Sequence, residues 1–348
     1  MKLKKRHNLS LDKFIDYSLY KKNFGYYMKK DPFGEKGDFI TAPNISRLFS
    51  EMIAIWIISF WESLNYPKKF NLVELGAGNG EMMKIMIQSF QNFPNFLNSC
   101  NFIIHEKSPS LINIQKKNLS NCKIKWISNF GAIKELPVIF IANEFFDALA
   151  IKQFIKRKNF WFEKFVSLKN FENPVFYEKK VDIKKVEKRI NIKMSSGQNF
   201  IEYSELGFKY LKNISKIISK NDGGLLLIDY GYYEKRMRNT LQGVSDHKFA
   251  NILKNIGNVD ITHNINFYLF EKFIKRIKNL ETNFTTQKDF LTRMGIKQRA
   301  EIISRNQKFT KKTDIYYRLR RLIDDKQMGE LFKVMFIKNK KNKFKLGF

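Results

Sequence analysis

The residues best equipped for chemistry begin with Gly76-Ala77-Gly78-Asn79-Gly80, a glycine-rich turn preceded two positions earlier by Glu74. Glycines allow positive φ and a close backbone approach to a ligand. A helix opening just after them presents free amides to an anion or a polar group. A dinucleotide fingerprint spaces its glycines as G-x-G-x-x-G. Position 81 is Glu81, so that spacing fails. A carboxylate beside the turn disfavours a pyrophosphate and suits an ammonium. A second acid, Glu106, closes the apolar run "NFIIHE" and is placed to accept the hydroxyls of a ribose, which either kind of nucleoside cofactor requires.

G-x-G-x-G preceded by an acid resembles the first motif of S-adenosylmethionine (SAM)-dependent methyltransferases. SAM carries an amino-acid end and a sulfonium instead of a pyrophosphate, which matches Glu74. On that reading Glu74, Gly76, Ala77, Gly78, Gly80 and Glu106 bind the cofactor, and Asn129-Phe130, after the next strand, covers its adenine. The stretch "IANEFFDAL" then supplies Asn143 at the cofactor and Glu144 and Asp147 toward a substrate. Glu144 and Asp147 are three apart, so they share a face if a helix starts there. Two carboxylates beside a methyl donor suit a cationic nucleophile such as a guanidinium, which they orient through paired hydrogen bonds. Asn143 and Glu144 alternatively cap the next helix. Asp229, in "LLLIDYG", is a third candidate acid. The reaction needs no metal.

These residues must be held by strands ending at one edge of a sheet. "FNLVEL", "NFIIHE", "KIKWIS", "PVIFIAN" and "GGLLLIDYG" read as strands. The intervening helices run from about Asn79 to Phe90, from Ser108-Pro109, and from about Ser204 to Ser219. Proline suits a first helical turn. Short apolar runs alternating with helices argue for a doubly wound parallel α/β sheet with helices on both faces. Upstream, Ser10 caps a helix to about Tyr20. Asn44 caps an apolar helix to about Leu64, and between them lies an aromatic loop. From Ile151 to Val181 aromatics and lysines alternate, which suggests hairpins appended to the sheet or continuing it. Residues 232 to 303 read as loops and helices, and "LFKVMFI" as a strand returning to the sheet. The organisation expected is 1–69 as N-terminal helices with a cofactor-covering loop. A methyltransferase core follows at 70–231, with a smaller α+β insertion at about 151–200. Residues 232–348 form a helical substrate-side region.

The 348 residues are 43% apolar, enough for a sizeable core. Two cysteines exclude a disulfide framework. The longest apolar run, "MIAIWIISFW", is too short to cross a bilayer. The formal net charge of +31 suits a nucleic-acid partner. However, the lysines are spread along a chain also rich in Asn, Ile and Phe, which fits composition bias. The loop after the fourth strand is neither N-P-P-Y nor D-P-P-Y, which weighs against a methyltransferase acting on bases.

The blocks "GYYMKKDPFGEKGDFITAPNISRLFSEMIAIW", "LVELGAGNGEMM", "ANEFFDALAIKQF", "LLLIDYGYY", "NTLQG" and "MGELFKVM" occur in the order seen in the MidA-like family. This family includes the mitochondrial complex I assembly-factor protein arginine methyltransferases. The resemblance covers about Leu9 to Ile337. It implies a Rossmann-like class I methyltransferase fold and dimethylation of an arginine, on a subunit of a respiratory NADH dehydrogenase or another protein. It also brings Gly37, Asp38, Thr41 and Pro43 to the cofactor. Asn79 departs from an arginine common in the family's turn, and Ala150 from a proline. The basic start lacks the pattern of a presequence, so a bacterial cytoplasm is expected. The rival functions are RNA or DNA methylation and a non-catalytic SAM-binding assembly role.

Overall fold

Phe70–Leu75 (β1) is buried at all six positions, as expected of a strand covered on both faces. It pairs in parallel with Cys100–His105 (β2) on one side and Val138–Asn143 (β4) on the other, so that Leu72 lies between Phe102 and Ile139. Ile124–Ile127 (β3) extends the sheet beyond β2. Gly223–Tyr232 (β5) runs parallel to β4. Leu280–Thr286 (β6) and Phe332–Asn339 (β7) complete the order β6-β7-β5-β4-β1-β2-β3, in which β7 runs antiparallel to both neighbours. The computed structural model describes residues 8–29, 41–170, 173–245 and 248–348.

This sheet belongs to the larger of two compact units, which comprises Asp31–Phe145, Asn213–Gly231 and Ile274–Phe348. Its main helix is Arg47–Ser63 (α1). The cap is Ser46, not the expected Asn44: Ser46 Oγ accepts the Leu48 N–H at 3.2 Å. Ala42–Ile45 forms a separate helical turn with Pro43 near its start, and Ser46 breaks the path with an extended φ of −154°. Trp56 and Phe60 of α1 are fully buried. Both meet Phe336 of β7 edge-on, with ring centroids 4.8 and 4.9 Å apart. Truncating such a side chain to alanine costs about 3–5 kcal/mol. Glu81–Phe90 (α2) follows β1, and Pro109–Asn118 (α3) follows β2. Ser108 caps α3 by accepting the Leu111 N–H.

The smaller unit comprises Met1–Lys30, Phe146–Lys212 and Tyr232–Phe273. Here the expected hairpins form a sheet of their own. Lys152–Arg157 and Phe160–Ser167 pair antiparallel, joined near Lys158 at φ +53°. Val175–Val181, Phe200–Tyr203 and Asn8–Ser10 complete this sheet. A buried polar web ties it together: Gln153 Nε2 donates to Glu202 Oε2 at 2.6 Å and to Asn239 Oδ1 at 2.7 Å. A further three-stranded sheet joins Gln242–Ser245 to Lys248–Ala250 and Asp260–Thr262. Residues 232 to 303 therefore contain strands where loops and helices were expected. Their runs are too short, or, in the edge strand β6, too polar to register as apolar patterns: only Leu280 and Thr285 of β6 are buried.

Candidate active site

β1 delivers Glu74 and then turns sharply through Gly76, Gly78 and Gly80, whose φ angles are +64°, +54° and +85°. At Gly76 a Cβ would also stand 2.8 Å from the Phe145 ring, so conformation and space both demand glycine. α2 starts directly after Gly80. Asn79 Oδ1 accepts the Glu81 N–H at 3.1 Å, and its Nδ2 donates to Asn44 Oδ1 at 3.2 Å. The turn borders an open cavity at the carboxyl ends of the parallel strands, where doubly wound sheets bind ligands. Of the residues singled out in the sequence, this cavity brings together Thr41, Pro43, Glu74, Gly76, Ala77, Gly78, Asn143 and Glu144.

The cavity is rich in acceptors. Glu74 is 2% exposed, and its Oε2 has no hydrogen-bond partner among the described residues. Burial, and then the charge of Glu106, push its carboxyl up to about 8. Asn143 Oδ1 is likewise buried and without a partner among the described residues. Glu144 sits in the left-handed region at φ +49°, a conformation that costs a non-glycine residue energy. It is held there by its N–H donating to the Ile228 carbonyl at 2.9 Å. Its Oε1 accepts from the Ala42 N–H at 3.3 Å and from Asn143 Nδ2 at 3.2 Å. Burial raises this carboxyl to about 7.

The other candidates lie elsewhere. Glu106 follows β2, and its Oε1 accepts the Lys107 and Ser108 N–H groups at 2.8 and 2.9 Å. Asn129 caps a short turn by accepting the Gly131 N–H, while Phe130 lies 5.1 Å from the His105 ring. Asp229 is fully buried, and its Oδ1 accepts the Tyr230 N–H at 2.9 Å. Asp147 does not share a helix face with Glu144. No helix forms there, because the left-handed Glu144 departs from helical geometry at the first residue. Asp147 belongs instead to the smaller unit, buried, with its carbonyl accepting the His263 N–H. Gly37 and Asp38 lie outside the described residues. Sequence reasoning missed Phe145, Asn44 and Gln115. Only Gln115 had a signal, a polar residue on the inward side of α3.

A family model described as "Putative S-adenosyl-L-methionine-dependent methyltransferase" matches residues 52–286. The chain belongs to that family. Among curated relatives, the Xenopus tropicalis "Protein arginine methyltransferase NDUFAF7, mitochondrial" is 29% identical over 338 residues, covering 89% of this chain and 77% of the relative. Its human counterpart is 28% identical over 337 residues, covering 88% and 75%. A solved structure from Burkholderia thailandensis, bound to S-adenosyl-homocysteine (SAH), aligns with a TM-score of 0.80 over 98% of this chain and 90% of that one, at 20% identity. That likeness shows a shared fold, the Rossmann-like class I methyltransferase sheet, and the MidA-like resemblance is borne out. The expected bacterial cytoplasm is overturned by the relatives, which are named mitochondrial. The first residues alone carry no conclusion about the compartment. No described helix is long and apolar enough to cross a membrane.

The methyltransferase's cofactor is SAM, and the cavity fits it. The positive-φ glycine turn adjoins two buried oxygens, Glu74 Oε2 and Asn143 Oδ1, that await donors.

Proposed function

We propose that this methyltransferase modifies an arginine side chain of a protein substrate. The observation that carries the reading is Glu144. Its carboxylate lines the same cavity as Glu74 and the glycine turn, held by a backbone amide and the Asn143 side chain. The names of the relatives, protein arginine methyltransferases, support it. Glu74 would hold the cofactor's ammonium, the glycine turn its amino-acid end, and Glu106 its ribose, with Thr41 and Pro43 on the facing wall. Bound SAM supplies a methyl group already activated on a sulfonium. The chain's own residues then orient the acceptor. Ionised Glu144 takes N–H bonds from the guanidinium and localises its charge, and positioning supplies most of the acceleration. With its carboxyl near 7, Glu144 can accept the proton released on transfer. Asp229 is a further candidate for contact with the substrate. Its resemblance to complex I assembly factors makes an NADH dehydrogenase subunit the first acceptor to test.

Methyl-labelled SAM given to this chain with mitochondrial extract should yield labelled methylarginine after acid hydrolysis. Glu144→Gln should lower turnover by about a hundredfold or more while leaving SAH affinity within about twofold of the parent. Turnover should rise with pH through about 7, as Glu144 ionises. Label released by ribonuclease rather than protease would transfer the assignment to RNA, the reading favoured by the +31 charge. Full turnover in Glu144→Gln would remove that residue from the mechanism.

A further inference from the structure

α3 carries a glutamine where its buried side calls for an apolar residue. Gln115 is 0% exposed. Its Nε2 donates to the Gly78 carbonyl at 2.9 Å and to Glu106 Oε2 at 3.2 Å. Its Oε1 accepts the indole N–H of Trp126 at 2.9 Å. An indole only donates, and a carbonyl and a carboxylate only accept, so the amide fits in a single orientation. Both of its N–H hydrogens are engaged. The backbone amides of Lys107 and Ser108 hold the other oxygen of Glu106. Fixed donors therefore occupy three of the carboxylate's roughly four acceptor positions, which leaves one on Oε2.

We propose that Gln115 is a positioning residue for the cofactor's ribose. It aims the open acceptor of Glu106 at a ribose hydroxyl and, through Gly78, locks that acid to the glycine turn, so the two cofactor contacts form as one unit. This rests on the reading of Glu106 as the ribose acid. A glutamine that merely filled the core would have no reason to end both donors on cofactor-binding elements. Trp126 of β3 sets the orientation from behind, brought into place by its pairing with Ile104 of β2. Gln115 also counteracts the effect of burial on the Glu106 carboxyl, which is raised overall.

The test is calorimetric titration of the full chain with SAH and with its 2′-deoxy and 3′-deoxy analogues, at several pH values between about 5 and 8. The parent should bind at least one deoxy analogue about tenfold more weakly than SAH. Gln115→Leu should bind SAH about ten to a hundredfold more weakly and no longer distinguish it from that analogue. Gln115→Glu sets an acceptor against an acceptor, and its deficit relative to the parent should narrow as pH falls and the new carboxyl protonates. Unchanged discrimination in folded Gln115→Leu, with or without weaker SAH binding, would reduce Gln115 to a structural role. Should that variant fail to fold, Trp126→Phe, which removes the orienting donor, should lower discrimination severalfold, and its failure to do so would overturn the proposal. Glu106→Gln separates the two readings. If it keeps discrimination, the ribose assignment fails and the proposal with it. If it loses discrimination while Gln115→Leu keeps it, only the positioning role falls.

Discussion

The carboxyl ends of β1 and β2 offer two acids on neighbouring strands with opposite surroundings. Glu106 is wrapped by three donors, two from the backbone at the start of α3 and one from Gln115. Glu74 is more deeply buried, and its Oε2 meets no donor among the described residues. Both carboxyls are raised by burial, but only Glu106 has hydrogen bonds that counteract the rise. The difference teaches what each site awaits. A pre-wired carboxylate with one open position suits a neutral hydroxyl. A bare one, costly to ionise while empty, gains most from a cationic ligand.

Removing the bare acid should break this contrast most strongly. Glu74→Gln is expected to weaken SAM by about a hundredfold or more, measured by calorimetry. In the parent, affinity should climb as pH rises toward about 8, because binding a cation must first ionise Glu74. The variant should lose that slope. Stability without cofactor should move the other way. A carboxyl raised from 4.5 to about 8 contributes stability that is complete below about 4.5 and lost as pH rises through about 8. Glu74→Gln should therefore melt like the parent in acid and above it in mild alkali.

Next in size is Gly76→Ala, which forces a Cβ toward the Phe145 ring at positive φ. It should cost about 1–3 kcal/mol in denaturant titrations and weaken SAM as well. Smallest is Asn79→Ala. Losing the bond to the Glu81 N–H at the start of α2 should cost about 0.5–1 kcal/mol, with SAM affinity changed only severalfold. Equal responses of Glu74→Gln and Asn79→Ala would erase the distinction between a ligand-seeking acid and a turn-holding amide.

The strand–helix alternation from β1 to β5 was legible because buried apolar runs and the Ser108-Pro109 helix start are local signals. The glycine turn and Glu74 were legible because positive φ and a nearby charge are written in adjacent residues. The geometry after β4 was not. Glu144 turns left-handed under the hold of the Ile228 carbonyl on β5, a partner that exists only once the sheet has formed. For Gln115 only its polarity on the inward side of α3 was legible, and its partners were not, since Trp126 and Glu106 reach it through the register of β2 and β3. β6 escaped because an edge strand needs few apolar residues.

The position of β7 bears on how the protein is made. It follows β6 in sequence, yet it lies between β5 and β6. Until Phe332–Asn339 leaves the ribosome, the Gly224–Tyr230 stretch of β5 lacks the antiparallel partner it has in the fold, and so does β6. The nascent chain must carry Leu226 and Ile228 past the tunnel before Phe336 and Val334 arrive to cover their flank. Translation therefore runs ahead of folding for this half of the sheet, and a ribosome stalled before β7 leaves a sticky ribbon for chaperones to guard.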